Sequence, residues 1–128
     1  MNDATLRRLS HFDTADFGPH ATALYRELTR TAAAGLPLAT VILAASIVDV
    51  VQREQAGPAG YLDGVAFSYA GSTANLDWLR RRRNHLLHHE GPSDGLMGED
   101  NAATWLVSDA ERAVITLLDF LDDLQFSD

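Results

Sequence analysis

PLATVILAASIVDVVQREQA, residues 37–56, is the stretch that decides the fold. Pro37 suits the first position of a helix, where a missing N–H would have had no partner anyway, and Gly57-Pro58 closes the run. Apolar residues surround nearly the whole circumference, which marks this helix as the central, most buried element. The apolar part, Leu36 to Val48, lasts about a dozen residues before Asp49 interrupts it, too few to cross a bilayer. One narrow polar stripe remains, in which Ser46, Asp49 and Arg53 fall within roughly 60° of one another at about 100° per residue. On so buried a helix the stripe faces either a functional partner or a wet edge, where Asp49 and Arg53 pair at i,i+4.

On the N-terminal side, Gly18-Pro19 starts another helix, carried by Ala21, Leu24, Tyr25, Leu28 and Ala32 at helical spacing and ended by Gly35. Residues 4–12 form a short helix with Leu6 and Leu9 inward. On the C-terminal side, Tyr61 to Gly71 reads either as a short helix through Val65-Ala66-Phe67 or as an irregular connection. A long helix is predicted from Thr73 to Glu90, capped by Ser72 or Thr73 and stopped by Gly91-Pro92. Ser93 to Asn101, rich in glycine and acid, reads as a loop, and Ala102 to Val107 as a short element packed through Trp105. Ser108-Asp109-Ala110-Glu111 has the pattern of a capping box. It opens a last helix to Leu124 with Ala113, Val114, Leu117, Leu121 and Leu124 inward. No strand pattern competes. The expected fold is all-α, an antiparallel helical bundle of four main helices plus short extra helices, in a single domain over residues 1–128.

Composition narrows the functions. The chain has 128 residues, 46% hydrophobic and 22% charged, enough to bury a core without staples. With no cysteine there is no disulfide, thiolate zinc site or cysteine nucleophile. A formal net charge of -8 repels a nucleic-acid backbone over most of the surface, so a phosphate-binding role needs a local basic patch. Arg7 and Arg8 are not followed by an apolar segment, so the N-terminus does not read as a signal peptide and a cytoplasmic setting is expected.

The basic patch is in the helix from Thr73, which carries Arg80 to Arg83 and then Asn84-His85-Leu86-Leu87-His88-His89. On a helical wheel Leu76, Leu79, Leu86 and Leu87 form the apolar stripe, and Arg83 falls in its middle. A guanidinium there needs a partner, because burying it unpaired is very costly; Asp49 of the central helix is the expected one. Asp77, Arg81, Asn84 and His88 form a polar face beside the stripe. His85 and His89 lie further round and are expected to be more exposed, as bystanders. Arg81 and Arg82 read as solvated charge near a helix C-terminus, where cations are favoured. A metal held by His85 and His89 at i,i+4 lacks a third ligand, and no serine stands in an activating context. The residue set suits RNA cleavage without a metal. Histidine can move the proton of a ribose 2′-OH, arginine binds phosphate oxygens in bidentate fashion, and Asn one turn before His88 can fix its ring. Arg83 and His88 nevertheless point roughly 140° apart on one helix. A two-fold dimer would pool the side chains of two helices.

Arg83-Asn84, a three-residue spacer and His88, near the end of a long helix and followed by a glycine-rich loop, resemble the motif of the HEPN superfamily. These are small helical-bundle domains, many of them dimeric RNases. The helical layout fits along nearly the whole chain, and the specific part is these six residues. The resemblance implies that Arg83 and His88 are the catalytic pair, supported by Asn84, with Asp49 orienting Arg83 and Arg80 and Arg81 contacting RNA phosphates. It implies a homodimer, an RNA substrate, a 2′,3′-cyclic phosphate product and no metal or other cofactor. DNA and membranes are not expected partners. An antitoxin-type protein partner belongs to the toxin branch, which carries a Tyr just after the motif where this chain has His89-Glu90. The alternative is a non-catalytic HEPN-like dimerisation or ligand/nucleotide-sensing module in which Arg83 serves only as an ion-pair partner of Asp49.

Overall fold

In the computed structural model, which describes residues 1–55, 73–88 and 102–126, five helices follow one another. They are α1 (Asp3–His11), α2 (Pro19–Ala33), α3 (Pro37–Gln55), α4 (Thr73–His88) and α5 (Ala102–Phe126). They pack as an all-α antiparallel bundle, with no strand among the described residues. Helix α3 is the axis and touches α2, α4 and α5. Its Val41, Ala44, Ile47 and Val51 are each no more than 1% exposed. That follows from a sequence apolar on every side but one. Leu28 of α2 and Val114, Leu117, Leu118 and Phe120 of α5 complete the core around it.

The ends of the first helices follow the sequence signals. Asn2 caps α1, its Oδ1 accepting from the Ala4 N–H at 2.7 Å. Pro19 stands in the first turn of α2, and Gly35 takes a φ of +72° after the helix ends, a conformation in which a Cβ is strained. Polar contacts then fix α1 on the bundle. The Arg8 guanidinium bridges Asp119 at 2.9 Å and Asp122 at 2.7 Å, and the Thr5 hydroxyl donates to Glu111 at 2.7 Å.

The last third of the chain departs from expectation. Ala102 to Val107 is not a separate element, and Ser108 to Glu111 is not a cap, because α5 runs unbroken for 25 residues. No glycine or proline interrupts 102–126, and the two acids of the supposed box are used elsewhere. Asp109 accepts from Arg82 of α4 at 2.6 Å, and Glu111 accepts from Thr5 of α1. A cap signature counts only if its side chains turn back on their own backbone. Here tertiary partners claimed them. The Tyr61–Gly71 and Ser93–Asn101 readings, and the caps and stops at Ser72, Gly57-Pro58 and Gly91-Pro92, fall outside the described residues.

Tyr25 links α2 to α1, its buried hydroxyl donating to the Leu9 carbonyl. Burial pushes the phenol's pKa up, with Arg8 opposing and Asp122 adding to the rise. The folded state therefore holds the proton more tightly than the unfolded chain does, so the stabilisation is full below about pH 10 and is lost as pH rises beyond it. Urea unfolding of the wild type should show a falling midpoint above about pH 10. In Tyr25→Phe the alkaline decline should be shallower, and parallel declines in the two proteins would exclude this source.

Candidate functional site

Helix α4 presents two flanks to the bundle, and each carries an arginine. On the α3 flank, Leu76 and Leu79 are buried at 5% and 1% exposure, and Arg83 comes next at helical spacing. Its NH1 donates to Asp49 Oδ2, and the two side chains retain 19% and 31% of their surface. The polar stripe of α3 is thereby accounted for. Asp49 faces Arg83 rather than Arg53, Arg53 is exposed, and the Ser46 hydroxyl donates to its own helix at Ile42 O, 2.9 Å away. Around the pair the seam, lined by Ala45, Val48, Leu76, Leu79 and Arg80, encloses no cavity of ligand size.

The rest of the motif lies nearer solvent. Asn84 is half-buried and His88 exposed, as are Arg80 and Arg81; Arg80 stands 3.8 Å from Asp77 on the same helix. Leu87, expected in the apolar stripe, is instead 52% exposed. Two turns beyond Leu79, no described neighbour covers it. The chain thus places Arg83 at the α3–α4 seam and His88 on an open face.

The α5 flank was not expected at all. Trp78, Arg82 and His85 fall within roughly 60° of each other on the α4 wheel, and they face Trp105, Ser108, Asp109 and Arg112 of α5. Arg82, read as solvated, is the most buried of the four consecutive arginines, with its side chain 9% exposed and its Nε 2.6 Å from Asp109 Oδ2. An arginine can leave solvent in this way when a carboxylate meets it and its aliphatic stem packs on apolar surface. Arg112 sits over the Trp78 ring at 4.0 Å and donates to Asn75 Oδ1 at 3.1 Å. Antiparallel packing of α4 on α5 accounts for the order of these contacts.

Beyond the Arg82–Asp109 bridge the two helices leave a cleft of about 590 Å³, lined by Trp78, Arg81, Arg82, His85, Trp105, Ser108 and Asp109. His85, taken as an exposed bystander, is half-buried in this wall. Trp105, expected to pack, keeps 40% exposure at its mouth. Both tryptophans of the chain line it. The available signal was the spacing of Asn75, Trp78, Arg82 and His85 against Trp105, Asp109 and Arg112, two matched ridges three or four residues apart.

Among the described residues no group of three or more His, Asp or Glu side chains could hold a metal ion, and no helix is long and apolar enough to cross a membrane. His89, the second ligand of the metal reading, lies outside them. Comparison of the chain with models of known protein families, with curated proteins and with solved structures returned no match.

Proposed function

We propose that this chain is a HEPN-like module that cleaves RNA without a metal, at a site completed by a second copy of itself. The Arg83–Asp49 pair carries the reading. It ties the Arg83 side chain, 19% exposed, to the central helix, one residue before Asn84 and on the helix that bears His88. In the reaction, a base takes the proton from a ribose 2′-OH and the oxygen attacks the adjacent phosphorus. The bond from phosphorus to the next nucleotide's 5′ oxygen breaks, and that oxygen leaves with a proton from an acid. A 2′,3′-cyclic phosphate and a 5′-hydroxyl result. His88 performs one of the two proton transfers, Arg83 neutralises the phosphate as charge builds, Asn84 fixes the His88 ring, and exposed Arg80 and Arg81 follow the RNA backbone.

Arg83 and His88 diverge on one helix, so the second copy supplies the missing group. Leu87, a large apolar side chain exposed beside His88, supports a covering subunit there. An antitoxin-type protein would act by occupying the same face. The second reading, a non-catalytic dimerisation or ligand/nucleotide-sensing module, is favoured by two observations, the absence of a ligand-sized cavity at Arg83 and the open position of His88. Incubation of single-stranded RNA with wild type and His88→Ala in excess chelator separates the two. Cyclic-phosphate ends from the wild type alone support the nuclease. Equal cleavage by both proteins, or none by either, removes it.

A further inference from the structure

Helix α5 sends two consecutive charges in different directions. Glu111 turns to α1, where its two oxygens accept from the Thr5 hydroxyl at 2.7 Å and from the Asn2 backbone N–H at 3.2 Å. Arg112 turns to α4, over the Trp78 ring at 4.0 Å and onto Asn75 Oδ1 at 3.1 Å. Both line a second cleft of about 590 Å³, whose walls also include Met1, Asn75, Val107 and Ile115. None of the residues placed in the RNA chemistry belongs to it. We infer that this cleft binds a monocarboxylic acid with an apolar body, its carboxylate on the Arg112 guanidinium and its hydrocarbon against Ile115 and Val107.

Charge selects the head group. Among the described residues Arg112 meets no carboxylate, and neither an indole ring nor an amide oxygen cancels its charge. Of its five N–H donors one is spent on Asn75, and the planar fork matches the two oxygens of a carboxylate. Asn75 gives its oxygen to Arg112 and so keeps its amide donors for the same group. Glu111, the other charged side chain of the lining, already has both oxygens engaged towards α1. One cation in a chain of net charge -8 suits a single negative charge and disfavours a polyanion.

The apolar side chains select the body. Val107 is 44% exposed and Ile115 38%, although both are large and apolar. A small hollow of about 30 Å³, lined by Leu36 and Pro37, shares Met1 and Val107 with the cleft, and Leu36 is 53% exposed. The apolar surface therefore continues from Ile115 past Val107 to Leu36. Val107 lies about 7.5 Å of helix rise before Arg112, so a hydrocarbon tail runs away from the cation along α5. An exposed apolar surface of this kind marks a binding face, and its end at an uncancelled guanidinium makes the occupant an amphipathic acid.

The inference does not rest on the nuclease reading, and its test leaves His88 untouched. Isothermal titration calorimetry of the full-length protein with octanoate, hexanoate, octanol and octylamine reads head group and tail separately. Octanoate should bind saturably, octanol about tenfold or more weakly, as expected for losing a charge-assisted hydrogen bond, and octylamine more weakly again. Hexanoate should be weaker than octanoate by about twofold to fourfold per methylene removed. Arg112→Gln should weaken octanoate about tenfold and leave octanol unchanged, whereas Ile115→Ser should weaken both. Both residues are exposed, so both variants keep the fold, and the ligand series on the wild type stands without them.

Equal binding of octanoate and octanol overturns the inference, since Arg112 then contributes nothing. So does octanoate binding that Arg112→Gln leaves unchanged, or no saturable binding of any probe. An acetylated trileucine peptide that binds more tightly than octanoate, and loses binding as its amide, overturns the free acid in favour of a protein chain end. Loss of self-association in Ile115→Ser, measured by sedimentation, overturns it in favour of a contact between copies.

Discussion

Asp109→Ala should lower the stability of the fold by about 2–3 kcal/mol, more than removal of any other single charged side chain in the α4 interfaces. The reason is the environment of its partner. Arg82 retains 9% of its side-chain surface and Asp109 24%. Deleting the carboxylate removes the ion-pair partner that Asp109 gives a nearly buried guanidinium; breaking a fully buried pair costs about 3–5 kcal/mol, and the open side of Asp109 brings the figure down. Asp49→Ala at the other flank should cost less, about 1 kcal/mol, because Arg83 and Asp49 keep 19% and 31% of their surface and water can take over part of the solvation. Urea unfolding followed by far-ultraviolet circular dichroism measures both. The double variant Arg82→Met with Asp109→Leu, which replaces the pair by apolar side chains of similar size, should recover most of the loss. A loss under about 0.5 kcal/mol in Asp109→Ala would mean that the bridge is not closed in solution.

The same pair shows where the sequence was readable and where it was not. Helix α3 could be recognised from residues 37–56 alone, because an apolar surface on every side admits only the centre of a bundle. Arg83 was readable for a related reason. It interrupts a row of leucines, and the cost of an unpaired buried charge selects the acid facing it, Asp49. Arg82 offers no such contrast. Its neighbours on the wheel are Trp78 and His85, residues at home in both wet and dry settings, so the α5 flank of α4 looked like a solvated face. Its burial depends on Asp109, 27 positions away. The Asp109 signal was in turn absorbed by a plausible local pattern, Ser-Asp-Ala-Glu, which reads as a cap until Arg82 and Thr5 are found to hold the two acids.

The cleft was hidden by the same ambiguity. Periodicity detects interfaces made of apolar side chains, and the described lining of this one is two indoles, two arginines, an imidazole, a hydroxyl and an acid. A polar interface is invisible to a hydrophobic wheel, yet it is the kind that leaves room for a ligand, because its side chains are held apart by charge and hydrogen bonding rather than packed to full density. The leucine stripe fails in the opposite direction. Leu87 satisfies the periodicity and is still exposed, since period alone does not say where the neighbouring helix ends.

His88→Ala should reduce RNA cleavage by about a hundredfold to ten-thousandfold with little change in stability, the range for losing a positioned proton-transfer group. Its side chain is exposed and makes no contribution to the core, so an unfolded variant is not the expected explanation for lost activity. Arg83→Lys should be similarly impaired for a different reason. It keeps a cation near Asp49 but removes the planar fork that binds two phosphate oxygens at once, and loss of such a preorganised donor costs about a hundredfold or more. The two variants together test the second copy. If Arg83 of one subunit works with His88 of the other, co-expressed His88→Ala and Arg83→Lys chains form mixed dimers with one intact site. Activity should then return to about a quarter of wild type at statistical mixing. If each chain used its own Arg83 and His88, every site in the mixture would lack one group and nothing would be restored. The roughly 140° between the two side chains on an ideal helix makes recovery the expected result. Two inactive proteins that stay inactive when combined, beside an active wild type, would return the chemistry to one subunit and require α4 to bend or rotate to bring its two residues together.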